Sequence, residues 1–196
     1  MDTPLRLIVG LGNPGPEYEH TRHNAGADLV SQLAQIYETP LSPETKFFGN
    51  VARVRIGKQD IRLLNPTTFM NRSGQAVRAI TQFYKIPTEA ILIVYDELDL
   101  PPGTPRLKLA GGHGGHNGIR DIIQALGNDR NFARLRLGVG HPGSAQQVAS
   151  YILKKASPSE QKLIDDSIDA AIKVIPLVAD GEWNTAMKLL HTQNTP

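Results

Sequence analysis

The chain has 196 residues, of which 40% are hydrophobic and 20% charged, and it contains no cysteine. This balance is typical of a folded globular protein and excludes the disordered and fibrous classes, and the length predicts one domain that spans residues 1–196. The absence of cysteine excludes disulfide bonds, a cysteine nucleophile and thiolate metal sites. No apolar run approaches the roughly 18 residues that a membrane helix needs, and the apolar residues 5–9 are too few for a signal peptide. We therefore expect a cytoplasmic protein.

Positive charge is concentrated in the middle of the chain. Residues 46–136 carry 14 basic and 7 acidic side chains, residues 1–45 carry 2 and 6, and residues 137–196 carry 5 and 6. A basic region suits a polyanionic partner such as nucleic acid, because lysine and arginine replace the counterions condensed on a phosphate backbone. A solvated surface gives the same bulk charge, so charge alone leaves both interpretations open.

Hydrophobic periodicity predicts strands that alternate with helices. In chain order we expect a strand at 5–9, a helix through Leu29, Leu33 and Ile36, a hairpin of strands at 48–56 and 60–64, a loop at 65–70, a helix through Ala76, Ile80 and Phe83 or Tyr84, strands at 91–95 and 104–109, a glycine-rich loop at 110–118, and a helix at 119–126. This alternation indicates an α/β fold. The hairpin makes the sheet mixed, so we expect a single-domain sandwich in which helices flank a twisted mixed sheet.

Two later segments continue the pattern. Leu135 and Leu137 alternate with Arg134 and Arg136, which predicts a strand with one buried face and one basic face. Beyond it, Ser157 or Ser159 is expected to cap a helix. The apolar stripe of that helix is expected to consist of Leu163, Ile164, Ile168, Ala171, Ile172 and Ile175.

Residues 10–15 match the G-x-G-x-x-G pattern of dinucleotide-binding loops and follow a predicted strand. In that fold the third glycine lies at a helix start, whereas here Pro14 and Pro16 interrupt helix formation. Glu38 stands near the spacing of the ribose-binding acid, but it follows a helix instead of a strand. A nucleotide-dependent enzyme is therefore a weaker alternative.

His23 and Asp96 are the best candidates for acid–base chemistry. His23 lies at the expected start of a helix, where the helix dipole disfavours the imidazolium and helps to keep a neutral ring that accepts a proton. Asp96 ends the most strand-like run of the chain, and ligands of α/β proteins bind where such strand ends meet. Helix capping by His23 and a turn role for Asp96 explain the same positions without function.

The glycine-rich loop contains His113 and His116, which could bind a metal ion. No acidic residue or third histidine lies close enough in sequence to complete such a site. A structural or substrate-contacting loop is the preferred interpretation. Four asparagines stand at expected element boundaries, where capping is the default role and polarisation of a carbonyl or a water is the functional alternative. They are Asn13, Asn24, Asn71 and Asn117.

Several segments together resemble the bacterial peptidyl-tRNA hydrolase family, in that family's order and spacing. They are residues 9–15, Tyr18, residues 21–26, residues 65–71, residues 96–99, residues 111–118 and residues 134–143. The resemblance implies an esterase that cleaves the bond between a peptide, or an N-blocked aminoacyl group, and the 3′ ribose of tRNA. It also implies a monomer without a cofactor, a metal or an obligate protein partner.

The resemblance also implies roles for individual residues. His23 would be the general base that takes a proton from water, and Asp96 would fix its tautomer and stabilise the imidazolium. Asn13 would contact the substrate near the ester and help to distinguish blocked from free aminoacyl groups. Asn71 and Asn117 would hold the peptide backbone or the terminal adenosine. The cleft would be lined by Tyr18, Phe69 and Met70.

Contacts to the tRNA acceptor stem are implied for Lys108 and Arg136, and Arg106 and Arg134 would widen that basic patch. Many relatives carry a lysine shortly after the turn at residues 141–143, where this chain has Ala145. We therefore expect one phosphate contact fewer and weaker tRNA binding than in lysine-bearing relatives. An RNA-binding module that does not turn over is the second functional hypothesis, although retention of His23 and Asp96 favours catalysis.

Overall fold

The computed structural model describes residues 3–192. This part contains seven strands and six α-helices. The strands are β1 (Leu7–Gly10), β2 (Ser42–Glu44), β3 (Gly49–Ile56), β4 (Gln59–Pro66), β5 (Ile91–Glu97), β6 (Pro105–Leu109) and β7 (Ala133–Gly138). The helices are α1 (Ala25–Ile36), α2 (Ser73–Tyr84), α3 (Asn117–Ala125), α4 (Val148–Ile152), α5 (Pro158–Ala179) and α6 (Trp183–Thr192).

The strands form one mixed sheet in the order β2-β3-β4-β1-β5-β7-β6. The central pairs β4–β1, β1–β5 and β5–β7 are parallel, and the pairs β2–β3, β3–β4 and β6–β7 are antiparallel. The predicted hairpin is confirmed, with Arg55 opposite Asp60 and the turn at residues 57–58. The fold class expected from the sequence is therefore correct.

Each face of the sheet is covered by helices. One apolar core joins the sheet to α1, α5 and α6, and the other joins it to α2 and α3. Alternation along the strands explains the division, because Leu7 and Val9 of β1 enter the second core while Ile8 enters the first. In β5 all residues from Ile91 to Asp96 are buried, as expected for a central strand covered on both faces.

Several details of the predicted pattern are wrong. Leu163 is 47% exposed, so the stripe of α5 begins at Ile164. Of the two residues offered for the packed face of α2, Phe83 is 58% exposed, whereas Tyr84 packs against the second core. Arg134, expected on a basic outer face, is 1% exposed, because β7 lies inside the sheet and the loop before α3 packs over this side chain. Ser157, not Ser159, caps α5, since its Oγ accepts a hydrogen bond from the N–H of Glu160.

Close packing explains the glycines of the loop after β1. A Cβ on Gly10 would clash with the carbonyl oxygen of Gly26, and a Cβ on Gly26 would clash with the carbonyl oxygen of Val94. The start of α1 is thereby pressed against the ends of β1 and β5. The pattern at residues 10–15 thus has a packing explanation that involves no nucleotide.

Among residues 3–192, no helix combines the length and apolarity needed to cross a membrane.

Candidate active site

Two neighbouring parallel strands bring the acid–base candidates together. Gly10 at the end of β1 pairs with Val94 of β5, so the loop after β1 and the end of β5 meet at one edge of the sheet. Asp96 is the next-to-last residue of β5, and His23 lies in the one-turn 3₁₀ helix Arg22–Asn24 just before α1. The side chains of His23 and Asp96 are almost fully buried.

Asp96 accepts hydrogen bonds from two histidines. His23 Nδ1 lies 3.0 Å from Asp96 Oδ1 and 2.9 Å from Asp96 Oδ2. His116 Nε2 lies 2.9 Å from Asp96 Oδ1. Because Nδ1 of His23 is engaged by the carboxylate, Nε2 is the nitrogen left to take a proton from a ligand.

The charges in this cluster reinforce one another. Burial lowers the pKa of His23, but the charge of Asp96 and its hydrogen bond outweigh that effect and raise the pKa above the ordinary value of 6.5. Burial raises the pKa of Asp96, but His23 and His116 outweigh it and hold the pKa well below its usual range. Asp96 is therefore a carboxylate at neutral pH and stabilises a proton on His23.

His116 is a member of the cluster that sequence proximity missed. The loop before α3 brings it to Asp96, which is 20 residues away in the chain. Its Nδ1 accepts a hydrogen bond from the N–H of Ile119 at 3.3 Å, so Nε2 carries the proton that Asp96 accepts. No pattern along the sequence indicates this contact, because it depends on where the loop before α3 lies relative to the end of β5.

The side chains of His23, Asp96 and His116 are also a group that could hold a metal ion, since their ligand atoms lie within 4.8 Å of one another. The hydrogen bonds of Asp96 to both imidazoles already account for this proximity. His113 is not part of the group; its Nδ1 accepts a hydrogen bond from the N–H of Gly115. The cluster is thus explained as a hydrogen-bonded triad.

Asn13 is clamped beside the triad. Asn24 Oδ1 accepts a hydrogen bond from the N–H of Asn13 at 2.8 Å, and Asn24 Nδ2 donates to the carbonyl oxygen of Asn13 at 3.0 Å. Asn13 Oδ1 in turn accepts from the N–H of Met70 at 2.7 Å. This last bond fixes the orientation of the Asn13 carboxamide and leaves its Nδ2 as a donor with no partner within residues 3–192.

A cleft of about 690 Å³ opens over His23. Tyr18 and Phe69 stand in it edge to face, with ring centroids 6.3 Å apart, and Met70 is buried at its base. The cleft brings together His23 and six of the other site residues expected from the sequence. Those six are Asn13, Tyr18, Phe69, Met70, Asn71 and Asn117.

The default role of the four asparagines, helix capping, is not what the structure shows. Asn24 is the N-cap residue of α1 but makes no capping hydrogen bond, because its carboxamide holds Asn13. The N-cap of α3 is His116, not Asn117. Asn71 makes no capping bond to α2 in the described chain. The carboxamide of Asn71 and the Nδ2 group of Asn117 are therefore open to a ligand, while Asn117 Oδ1 accepts a hydrogen bond from Arg120 Nη1.

A short segment closes the other side of His23. Residues 145–152, which include α4, line a cavity of about 240 Å³ together with His23, Asp96 and His116. The segment is fastened through Tyr151, whose carbonyl oxygen accepts from Arg22 Nη1 at 2.8 Å and whose ring lies 3.7 Å from the Arg22 guanidinium carbon. This cover limits access of solvent to the triad from that side.

The basic strip lies on the antiparallel pair β6–β7, away from the cleft. Arg106 is opposite Arg136, and Lys108 is opposite Arg134, so all four lie on one face. Lys108 is exposed, and Arg136 is half-buried with Nη1 3.6 Å from Glu97 Oε1. The cationic groups of this strip that are open to a phosphate include Lys108, Arg106 and Arg136.

Arg134, by contrast, is buried and binds backbone carbonyl oxygens of the glycine-rich loop. Its guanidinium donates to the carbonyl oxygens of Gly111 and Gly112, and at 3.3 Å to that of Arg130. Gly111 has a φ of 134°, which suits glycine and lets successive carbonyls face one cation. Arg134 thereby fastens the root of the loop that carries His116, and it is not available to tRNA.

Comparison with known proteins agrees with this geometry. A family model described as peptidyl-tRNA hydrolase matches residues 7–196. A peptidyl-tRNA hydrolase of Saccharophagus degradans is 61% identical over 192 residues, which cover 98% of both chains. One of Pseudomonas syringae pv. syringae is 59% identical over 191 residues, 97% of this chain and 98% of that relative.

A solved structure gives the same result in three dimensions. The crystal structure of peptidyl-tRNA hydrolase from Acinetobacter baumannii has a TM-score of 0.92 and 51% identity, covering 95% of this chain and 94% of that one. The resemblance found in the sequence motifs is confirmed over nearly the whole chain. The chain belongs to the peptidyl-tRNA hydrolase family and is an esterase that hydrolyses peptidyl-tRNA.

Proposed function

We propose that His23 is the general base of this hydrolysis and that Asp96 positions it. The observation that carries the proposal is the buried pair of contacts from His23 Nδ1 to the Asp96 carboxylate, at 2.9 and 3.0 Å. It fixes the imidazole as the tautomer with a free Nε2, in a cleft large enough for an ester. A base held in this way typically contributes about 10²- to 10⁴-fold to the rate.

The reaction then runs through a water molecule, without a covalent enzyme intermediate. Nε2 of His23 takes a proton from water as the water oxygen bonds to the ester carbonyl carbon, and the carbonyl oxygen becomes an oxyanion. Collapse of this tetrahedral intermediate breaks the bond between the carbon and the 3′ ribose oxygen. The imidazolium returns its proton to that ribose oxygen, which gives free tRNA and the peptide acid, and the acid releases its proton to solvent to become a carboxylate. The scheme needs no metal ion or cofactor.

Asn13 contributes the donor nearest to the reacting carbonyl in this proposal. Its Nδ2 is directed away from Met70 by the fixed carboxamide orientation, so it can donate to the carbonyl oxygen as negative charge develops. It can also donate to the acyl oxygen of an N-blocked aminoacyl group, which a free amine lacks. Such a contact would favour blocked substrates.

The rest of the cleft would hold the two arms of the ester. Asn71 and Asn117 bind the peptide backbone or the terminal adenosine through their exposed carboxamides. Tyr18, Phe69 and Met70 supply apolar and aromatic surface for the same groups. Asn117 Oδ1 already accepts from Arg120 Nη1 at 3.2 Å, so its Nδ2 is the group that faces the ligand.

Lys108 and Arg136 would bind phosphates of the acceptor stem, with Arg106 beside them. Their place on β7 and β6, at the edge of the sheet opposite β2 and β3, lets a duplex extend away from the cleft. Such contacts position the tRNA without reading its sequence. Ala145 is exposed at the start of the segment that covers His23, where a lysine would add one more phosphate contact.

We also propose that the chain acts in the cytoplasm as a single-domain monomer without an obligate protein partner. The shared sheet and the two continuous cores, to which segments from both halves of the chain contribute, support the single domain, and the family resemblance implies the monomer. Light scattering of the purified protein during turnover would test the monomer. A dimer as the only active species would contradict it.

Release of N-acetylated aminoacyl groups from tRNA is the test of the function. Wild-type protein should release the blocked group and leave unblocked aminoacyl-tRNA intact. His23→Ala should lose release by at least about 10²-fold while binding deacylated tRNA as tightly. His20→Ala, at an exposed histidine three residues away, is the matched control and should keep release. Tight tRNA binding by the wild type without release would support an RNA-binding module instead.

A further inference from the structure

A second groove begins where the catalytic cleft ends. It has a volume of about 650 Å³ and runs between α2 and α3, with Phe48 at its side. Arg72 lines both this groove and the cleft over His23. We infer that this groove, called here the α2 groove, binds the peptide arm of peptidyl-tRNA and favours acidic residues in it. The inference rests on the function proposed above.

The charges of the α2 groove are open to a ligand. Arg72 and Arg78 are exposed, and within residues 3–192 no side-chain hydrogen bond or ion pair engages either guanidinium group. The acidic residue of the groove, Asp121, is already occupied, because its Oδ2 accepts from the N–H of Gly74 at 2.8 Å. The groove therefore offers two free cations and suits an anionic ligand.

Phe48 gives the groove an aromatic wall that is held in an unusual backbone conformation. Its φ of 53° and ψ of 37° lie in the left-handed region, which disfavours residues with a Cβ. The conformation is kept because its N–H donates to Thr45 and its carbonyl oxygen accepts from Thr67 at 2.9 Å. The side chain is 39% exposed, so an aromatic surface lies beside the two cations.

A competing exit from the cleft is acidic. A larger groove on the other side of Asn13 is lined by carboxylates that include Asp28 and Asp169. Asp28 and Asp169 have partners, since His20 Nδ1 lies 3.4 Å from Asp28 and Gln32 Nε2 donates to Asp169 at 2.8 Å, and the exposed carboxylate of Glu19 lines the same groove. An acidic peptide is repelled by this groove, so the two unpaired cations favour the α2 groove as its path.

Helix geometry sets the length of peptide needed. Arg72 and Arg78 are six residues apart, which is about 9 Å along a helix at about 1.5 Å per residue. An extended peptide covers that distance in about three residues at about 3.3 Å each. An N-acetylaminoacyl group is too short to reach Arg78, whereas the residues about three to five positions before the ester are placed to contact it.

Three substrates test the inference. The first is N-acetylaminoacyl-tRNA; the others are hexapeptidyl-tRNAs with the same residue at the ester and either aspartate or lysine at the third to fifth positions before it. At low ionic strength the wild type should have a kcat/KM about two- to fivefold higher for the aspartate substrate, through a lower KM. Arg78→Glu should reverse this ratio. Arg55→Glu, at an exposed arginine of β3, is the matched control and should preserve it.

The outcomes separate this inference from the proposed function. Release from N-acetylaminoacyl-tRNA by the wild type with an aspartate-to-lysine ratio near one would overturn the groove and leave the proposed function standing. A preference for lysine would place the peptide in the acidic groove and also overturn it. A loss of affinity for deacylated tRNA in Arg78→Glu, with an unchanged ratio, would assign the groove to RNA. No release from any substrate would remove the proposed function itself.

Discussion

Replacement of Asp96 by asparagine tests the core of the proposed mechanism. His116 Nδ1 accepts from the Ile119 N–H, so its Nε2 must donate to the residue at position 96. The carboxamide oxygen therefore takes the place of Oδ1, and the NH₂ group takes the place of Oδ2, 2.9 Å from His23 Nδ1. A donor at that distance forces Nδ1 to become an acceptor. The proton of His23 then moves to Nε2, which can no longer take one from water.

The expected cost follows from the role of a general base. Loss of the reactive tautomer should lower kcat/KM by about 10²- to 10⁴-fold, equivalent to about 3 to 5 kcal/mol of transition-state stabilisation. Affinity for tRNA should be unchanged, because the basic strip on β6 and β7 is separate from the triad. Asp99→Asn, at an exposed carboxylate three residues further on, should leave both quantities unchanged.

The pH profile gives a second readout of the same substitution. In the wild type, His23 must be neutral to act as a base and its pKa is raised by Asp96. Activity should therefore fall as the pH drops through a value above 6.5. In Asp96→Asn the carboxylate is gone while burial remains, so the pKa of His23 falls and the acidic limb of the residual activity moves to lower pH.

The measurement is kcat/KM for release of N-acetylaminoacyl groups from tRNA between about pH 5 and about pH 9. Circular dichroism of Asp96→Asn should first show a folded protein. An Asp96→Asn enzyme within about threefold of the wild type, or one whose acidic limb stays at the wild-type pH, would refute the assignment of Asp96 as the residue that positions His23.

The remaining predictions concern tRNA contacts, the loop before α3 and stability. Ala145→Lys should strengthen tRNA binding and steepen the dependence of log kcat/KM on log salt by about one unit, and Arg136→Ala should raise KM and flatten that slope by about one unit; unchanged slopes would remove either residue from the phosphate contacts. Arg134→Met should lower the free energy of unfolding in urea by about 2 to 4 kcal/mol and reduce kcat, because the carbonyl oxygens of Gly111, Gly112 and Arg130 lose a charged donor. Equal stability would contradict that role. Burial raises the pKa of Asp28 to about 6 from 3.8, so the folded state loses stability as pH rises across that interval. Asp28→Asn should therefore raise Tm above about pH 6 and change it little near pH 4, whereas the exposed Asp166→Asn should have little effect at either pH.

Much of the fold could be read from the order of residues along the chain. Buried strands and amphipathic helices have short hydrophobic periods, and Gly57 and Lys58 mark the hairpin turn, so the α/β class and most element positions follow from local patterns. The predictions were wrong at positions whose burial depends on neighbours from distant segments. Arg134 alternates with apolar residues like an exposed strand residue, and only the packing of the glycine-rich loop over β7 buries it.

The features of the site likewise fall into those that the sequence indicates and those that depend on tertiary contacts. Residue types and positions made His23, Asp96 and Asn13 candidates, and the resemblance of several motifs to a known family implied their roles. The contact of His116 with Asp96, the clamp of Asn24 on Asn13 and the partners of each asparagine join residues that are far apart in sequence. Hydrogen bonds of this kind depend on distances of about 3 Å, which strand order and helix packing set and which no pattern along the chain contains. The sequence by itself therefore determined the fold class and the chemistry available, and the tertiary structure decided which groups act on one another.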